Sequence, residues 1–268
     1  MLDEVKQKLH SLNYLQSHNE ALRKITGQSG QWFLRTEKFV DWEQRKNAAM
    51  LGLGDPGVGK TCLVSLIISH LQKLQDLVPV RVAYIYLCYQ EAESQTPTNI
   101  ISTLLKQLLL TYSCLPGFAI TLYQQLTLDQ GLPNLGLLVT TLINLCKDTS
   151  YRTFLVIDAF DEVKSSYQAE LVEIIKQLVT SKVQVFITSR PSSEDLGHLF
   201  NEPHTSKYFI RATTDDISWF LKQKLEAKKS LESILDEKFK TEVIQTIRSK
   251  SQGVYVLFFL KRNYVVYC

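Results

Sequence analysis

Apolar positions along this chain change their spacing twice. Over the first 26 residues Leu2, Val5, Leu9 and Leu12 alternate with Lys, Glu and Gln at helical intervals, which predicts one or two amphipathic helices. Gly27-Gln28-Ser29-Gly30 interrupts them. A second short helix is expected from about Thr36 to Arg45, with Phe39, Val40 and Trp42 as its apolar face. From residue 48 the apolar runs become short and nearly continuous, and they alternate with longer helical stretches. Strands are expected at 48–53, 80–87, 153–157, 183–188 and 207–211. Helices are expected near 60–75, 97–112, 135–147 and 167–180. Runs with no polar face, separated by helices, are the mark of a parallel sheet covered on both sides. After Arg211 the spacing returns to helical. Thr213-Thr214-Asp215-Asp216 reads as a helix start followed by the stripe Ile217, Phe220, Leu221 and Leu225. A further helix is expected at 235–250, and an apolar run at 254–260 follows Gly253. The expected division is a helical lead-in at 1–38, a core at 39–212 and a helical segment, truncated, at 213–268.

The junction of the first strand and its helix carries the chemistry. Gly54-Asp55-Pro56-Gly57-Val58-Gly59-Lys60-Thr61 satisfies the G-x-x-x-x-G-K-[ST] pattern at every specified position. Small residues let the backbone curl so that its N–H groups point at phosphate oxygens. The helix that begins near Lys60 turns its positive end to the same anion. Lys60 can reach the β- and γ-phosphates, and the Thr61 hydroxyl can ligate Mg²⁺. Gly54, Pro56, Gly57, Val58, Gly59, Lys60, Thr61 and Cys62 are the expected cofactor-binding residues. The fold class is therefore α/β, a three-layer P-loop NTPase with a five-stranded, mainly parallel sheet, short N-terminal helices and a C-terminal helical segment.

Phe154-Leu155-Val156-Ile157-Asp158 is an apolar strand ending in a carboxylate. In such a fold that places Asp158 beside Thr61 as the second Mg²⁺ residue, unless it simply caps the next helix. Asp161 and Glu162 can position or deprotonate an attacking water, or form a solvated turn. Arg190, at the end of Val183-Gln184-Val185-Phe186-Ile187-Thr188-Ser189, can stabilise γ-phosphate charge, or pair at the surface with Glu194 or Asp195. No Asn-Lys-x-Asp guanine reader occurs, which favours ATP/ADP over GTP. Gln31 and Trp32 lie just upstream of the core, where they can border an adenine.

Composition narrows the remaining classes. Hydrophobic content of 45% in 268 residues supports one large α/β core or two modest ones rather than a disordered chain. A net charge of +3 is too weak to argue for nucleic acid or an anionic membrane surface as a partner. Cys62, Cys88, Cys114, Cys146 and Cys268 contain no C-x-x-C pair, which fits reduced thiols better than disulfides or zinc. No stretch reaches the ~20 apolar residues of a membrane span, and the polar N-terminal helix is unlike a signal peptide. A cytoplasmic location is expected. The five histidines show no metal spacing and read as structural or surface residues. Tyr84, Tyr86 and Tyr89 alternate around Cys88 as strand residues do.

These residues resemble the NACHT group of signalling NTPases within the STAND class. Asp158-Ala159-Phe160-Asp161-Glu162 is similar to its Walker B segment, and Phe186-Ile187-Thr188-Ser189-Arg190-Pro191 to its sensor strand. Gly30-Gln31-Trp32-Phe33-Leu34 and Phe39-Val40-Asp41-Trp42 resemble the lead-in of fungal NACHT proteins with nephrocystin-like N-terminal domains, found in heterokaryon-incompatibility and ankyrin-repeat proteins. Thr214-Asp215-Asp216-Ile217 and Gly253-Val254-Tyr255-Val256 resemble the family's helical segment. The resemblance spans about residues 28–260. It implies a nucleotide-dependent switch, closed with ADP and opened by exchange for ATP, with weak hydrolysis at most. It also implies protein partners or self-association through the C-terminal helical face. Two alternatives stay open: a truncated decoy that associates with full-length relatives, and a turnover ATPase or small-molecule kinase. Residues 113–135 contain no arginine, which counts against a kinase lid.

Overall fold

Strand side chains point alternately to two faces, and here both faces of the central strands are buried. In the computed structural model, β1 (Ala49–Leu53), β2 (Val80–Tyr86), β3 (Arg152–Asp158), β4 (Val183–Ser189) and β5 (Thr205–Phe209) form one sheet. Its order is β2-β3-β4-β1-β5, and every neighbouring pair is parallel. The structure describes residues 1–226 except 26, 45–47, 129–132, 182 and 192–204, with backbone alone at 128 and 221–226. The helix expected at 235–250 and the run at 254–260 lie outside the described residues.

Ala83, Ile85, Leu155, Ile157, Val185 and Ile187 share one core with α1 (Leu2–Lys8), α5 (Pro97–Leu109), α6 (Ile120–Leu128), α7 (Leu135–Cys146) and α8 (Ser165–Thr180). The alternate positions Met50, Tyr84, Tyr86, Phe154, Val156 and Phe186 join α2 (Tyr14–Arg23), α3 (Glu37–Gln44) and α4 (Lys60–Gln75) in a second core. The result is three layers, helix–sheet–helix, and a final described helix, α9 (Thr214–Glu226), follows β5.

Local signals fix the element ends. Thr96 caps α5 by accepting the Asn99 N–H, with Pro97 in its first turn, and the Asn134 side chain caps α7 from Gly136. Thr36 is extended and its Oγ1 accepts the Phe39 N–H, so α3 starts at Glu37. A separate 3-10 turn precedes it at Phe33–Arg35. α3 is sewn to β4: the Trp42 indole donates to the Val185 carbonyl at 3.1 Å, and Gln184 Nε2 donates to the carbonyls of Trp42 and Glu43 at 2.7 Å. β2 is an edge strand, and the Gln107 amide closes part of that edge. Its Oε1 accepts the Tyr84 N–H at 3.1 Å, and its Nε2 donates to the Tyr84 carbonyl at 2.8 Å.

The strands sit within two residues of the positions expected from the apolar runs. α5 stops at Leu109 rather than 112, its end tightened by 3-10-type bonds from Leu110 to Gln107 and from Thr111 to Leu108. α6 is an addition, unmarked in the sequence because ITLYQQLTL carries apolar residues around its whole circumference. Arg81 is fully buried in β2, its guanidinium between the rings of Tyr112 and Tyr151 at 4.3 and 3.8 Å and paired with Asp148 at 3.1 Å.

Candidate functional site

The sheet order sets β1, β4 and β3 side by side, so the segments leaving their C-terminal ends meet in one cleft. The first is the loop 54–59. Gly57 and Gly59 have φ of 80° and 92°, a region where a Cβ is strained. Gly54 is required by proximity: a Cβ there would stand 2.8 Å from Val58 Cγ2 and 3.0 Å from the Ile210 carbonyl oxygen. α4 begins at Lys60 with no side-chain cap, which leaves its first-turn amides for an anion. Lys60 Nζ lies back on its own loop, donating to the carbonyls of Gly54 at 2.6 Å and Asp55 at 3.2 Å. Burial lowers the Lys60 ammonium from its ordinary pKa, against the opposing charges of Asp161 and Asp158.

The second segment leaves β3. Asp158 is 2% exposed and accepts a hydrogen bond from the Thr188 hydroxyl of β4. Burial pushes its carboxyl up, while the hydroxyls of Thr188 and Thr61 and the charge of Lys60 pull it down. The next residue, Ala159, has φ 57° and ψ 50°. That left-handed conformation costs about 1–2 kcal/mol for a residue with a Cβ and would exclude a β-branched one. It is held by a 2.9 Å bond from the Ala159 N–H to Thr188 Oγ1, and it turns the chain so that Asp161 and Glu162 face the cleft.

The third segment leaves β4 at Arg190. Arg190 Nε pairs with Asp161 Oδ2 at 2.9 Å, its backbone N–H donates to Asp161 Oδ1 at 3.0 Å, and Nη2 stands 3.6 Å from Glu162 Oε1. Glu162 Oε2 also accepts the Tyr89 N–H at 2.8 Å, tying it to the loop after β2. Both acids thus pair with the one arginine, Asp161 through hydrogen bonds and Glu162 as a longer ion pair.

Together with the N-terminal lead-in and the start of α9 these segments enclose a cavity of about 740 Å³, within the range of small-molecule sites. Pro56, Gly57, Val58, Gly59, Lys60, Thr61, Cys62, Asp161, Glu162 and Arg190 line it. Gly54 and Asp158 stand behind that wall. Trp32 is at the wall and Gln31 is exposed, so of the two residues expected near an adenine only Trp32 reaches the cleft. Ile25, Leu63, Ile210 and Phe220 join Trp32 as the apolar part of the lining, and Lys60, Thr61 and Arg190 are among its polar part.

Several lining residues carried no local signal. Arg23, Lys24 and Arg211 add positive charge, and Asp216 adds a carboxylate. Burial raises the Asp216 carboxyl, but hydrogen bonds from Thr213, Gly30 and Trp32 outweigh it and hold the group below the usual range. Thr188 was readable only as a strand residue. The T-x-x-D pattern of Thr213 and Asp216 predicted a helix start but not a place in this wall.

The residues fit a magnesium–phosphate ligand. Among the described residues no cluster of three His, Cys, Asp or Glu is arranged to hold a metal. One carboxylate and one hydroxyl, Asp158 and Thr61, are hard oxygen donors suited to an ion that keeps water and phosphate oxygens as its other ligands. Elsewhere, His18 is buried with Nδ1 2.8 Å from the Tyr86 hydroxyl, and His70 pairs with Glu43. Among the described residues no helix is long and apolar enough to cross a membrane.

Comparison with solved structures finds the Walker-type ATPase paby2304 of Pyrococcus abyssi, at 15% identity and TM-score 0.48 over 78% of this chain and 60% of that one. The Orc1 protein of Aeropyrum pernix in complex with DNA matches at 16% identity and TM-score 0.45, over 78% of this chain and 49% of that one. Cdc6p from Pyrobaculum aerophilum matches at 18% identity and TM-score 0.41, over 67% and 43%. The chain spans about half the length of these structures. No curated protein matches the sequence. The sequence model of one family, described as nephrocystin 3, N-terminal, matches residues 28–190 and so takes in the lead-in, the glycine loop, the β3 acids and Arg190. The chain is a P-loop NTPase fold that belongs to the nephrocystin 3 N-terminal family.

Proposed function

We propose that this chain binds ATP and ADP with Mg²⁺ as a NACHT-type signalling switch, with weak hydrolysis at most. The observation that carries the reading is the convergence of loop 54–61 and the Asp161–Glu162–Arg190 group on one cleft, with buried Asp158 beside Thr61 and Lys60 behind its wall. In this reading the backbone N–H groups around Gly57 and Gly59 hold phosphate oxygens. Lys60 exchanges its loop carbonyls for them. Thr61 and Asp158 would hold the magnesium ion, and the apolar lining that includes Trp32 would take the base. A bound nucleotide supplies a phosphoanhydride that water can cleave. Asp161 and Glu162 are the groups that would orient that water, and Arg190 is the cation that would meet γ-phosphate charge. Weak turnover follows from how these groups are held, because both acids are engaged by Arg190 and Glu162 also by Tyr89.

The test is direct. The purified chain is denatured and any nucleotide it carries is identified by chromatography; fluorescent ADP is then titrated into the wild type and Lys60→Ala. Losing the lysine removes a charge-assisted bond worth roughly 1.5–3 kcal/mol, about 10- to 100-fold in affinity. Equal affinity in the two proteins would overturn the reading. Glu162→Gln should bind normally and lower any residual hydrolysis, measured as phosphate release.

A further inference from the structure

The base end of the cleft is built from two segments far apart in the chain, residues 29–32 of the lead-in and the first turn of α9. One carboxylate joins them. Asp216 is the third residue of α9 and only 5% exposed. Thr213 Oγ1 accepts the Asp216 N–H at 3.1 Å, and Asp216 Oδ2 accepts the Thr213 N–H and hydroxyl at 3.1 and 2.7 Å. That is a reciprocal capping box, which accounts for part of the side chain's capacity. The rest goes to the lead-in: Oδ1 accepts the Gly30 N–H at 2.8 Å and the Ser29 hydroxyl at 3.0 Å, and Oδ2 accepts the Trp32 indole N–H at 2.7 Å. A helix cap needs none of these three bonds.

Their position gives them a use. Ser29, Gly30, Trp32 and Asp216 all line the cleft, as does Phe220, one turn further along the same face of α9. An independent apolar contact accompanies the polar one. The ring of Trp219 lies over Gly27, where a Cβ would stand 3.0 Å from it. The wall that faces a ligand's apolar part therefore exists only while the lead-in and α9 are docked, and Asp216 is the group on which that docking converges.

We infer that Asp216 is a positioning residue that couples occupancy of the cleft to the docking of α9 on the lead-in. The inference rests on the nucleotide reading above. A ligand that contacts both Trp32 and Phe220 binds the docked arrangement better than the undocked one, so it must tighten the docking by the same factor that docking tightens the ligand. The helical segment that leaves the nucleotide core is thereby made to report what the cleft holds.

Two readouts on the full chain test this: affinity for fluorescent ADP, and amide hydrogen exchange with and without ADP and Mg²⁺. In the wild type, ADP should slow exchange both in residues 54–62 and in 214–226. In Asp216→Ala, affinity should fall about tenfold or more, since a buried hub of hydrogen bonds is lost. ADP added to saturation should then still protect 54–62 but no longer 214–226. Trp32→Phe, which keeps a ring and removes one donor, should show a smaller loss of about two- to fivefold. A merely structural aspartate would change exchange in 214–226 equally with and without ADP, and that result would overturn the coupling, as would wild-type affinity in Asp216→Ala. If Asp216→Ala does not fold, Trp32→Phe and Ser29→Ala carry the test, and wild-type behaviour in both overturns it. A wild type that binds no ADP would instead sink the nucleotide reading and the coupling with it.

Discussion

The Thr188 hydroxyl holds two things at once: the buried carboxylate of Asp158 and the N–H of Ala159 in its left-handed turn. A strand residue of β4 thus sets the geometry of the acids that leave β3. His18 is a second buried polar residue with a measurable consequence. Burial lowers its pKa, so the folded chain keeps it neutral at pH values where the unfolded chain, near 6.5, takes up a proton. The unfolded state then binds more protons, and stability falls as pH drops below about 6.5, by no more than about 1.4 kcal/mol per pH unit for this one group. Urea unfolding measured from pH 7.5 to 5 should show that slope in the wild type and a flatter one in His18→Gln. The place of loop 54–61 between β1 and α4 was legible in the sequence because one tight turn needs glycine at fixed spacing, as the positive φ of Gly57 and Gly59 shows. Asp216 was legible only as a helix cap, because its other partners lie more than 180 residues earlier and no local pattern encodes a contact at that separation.

Elements were readable where their environment is uniform. β1 to β4 are buried on both faces, so their positions appear as plain apolar runs, and α4 runs from Lys60 to Gln75 as its spacing predicts. α6 was missed because its apolar residues form no single stripe. The closure of β2 by Gln107 was also invisible, since a polar residue in α5 reads as surface until the strand beside it is known. It is 6% exposed and satisfies both backbone groups of Tyr84. Gln107→Leu should therefore leave a buried donor and acceptor unpaired, at a cost of about 1–3 kcal/mol. Chemical denaturation would show this as a lower midpoint with the slope unchanged; an unchanged midpoint would mean that water replaces the amide.

For the whole molecule, a ligand bound in a cleft lined by five separate segments would be a strong stabiliser, because unfolding must release it. At an ADP concentration about 100 times its dissociation constant the gain is about 2.7 kcal/mol. For a domain of this size that corresponds to a rise of roughly 5–10 °C in melting temperature. Thermal scans with and without ADP and Mg²⁺ should show the rise in the wild type and cut it to about half or less in Lys60→Ala at the same ADP concentration.

The strand order has a consequence for the chain while it is being made. β1 sits between β4 and β5, yet β4 begins at Val183, about 130 residues after β1 ends at Leu53. At synthesis rates of about 5–20 residues per second, an apolar strand and the glycine loop beside it wait roughly 7–26 s before either neighbour exists. During that interval nothing in the sheet can shelter Met50 or Leu51. The nascent chain therefore carries an apolar strand without its sheet neighbours for that interval, and the cleft cannot assemble until the last strands have left the ribosome.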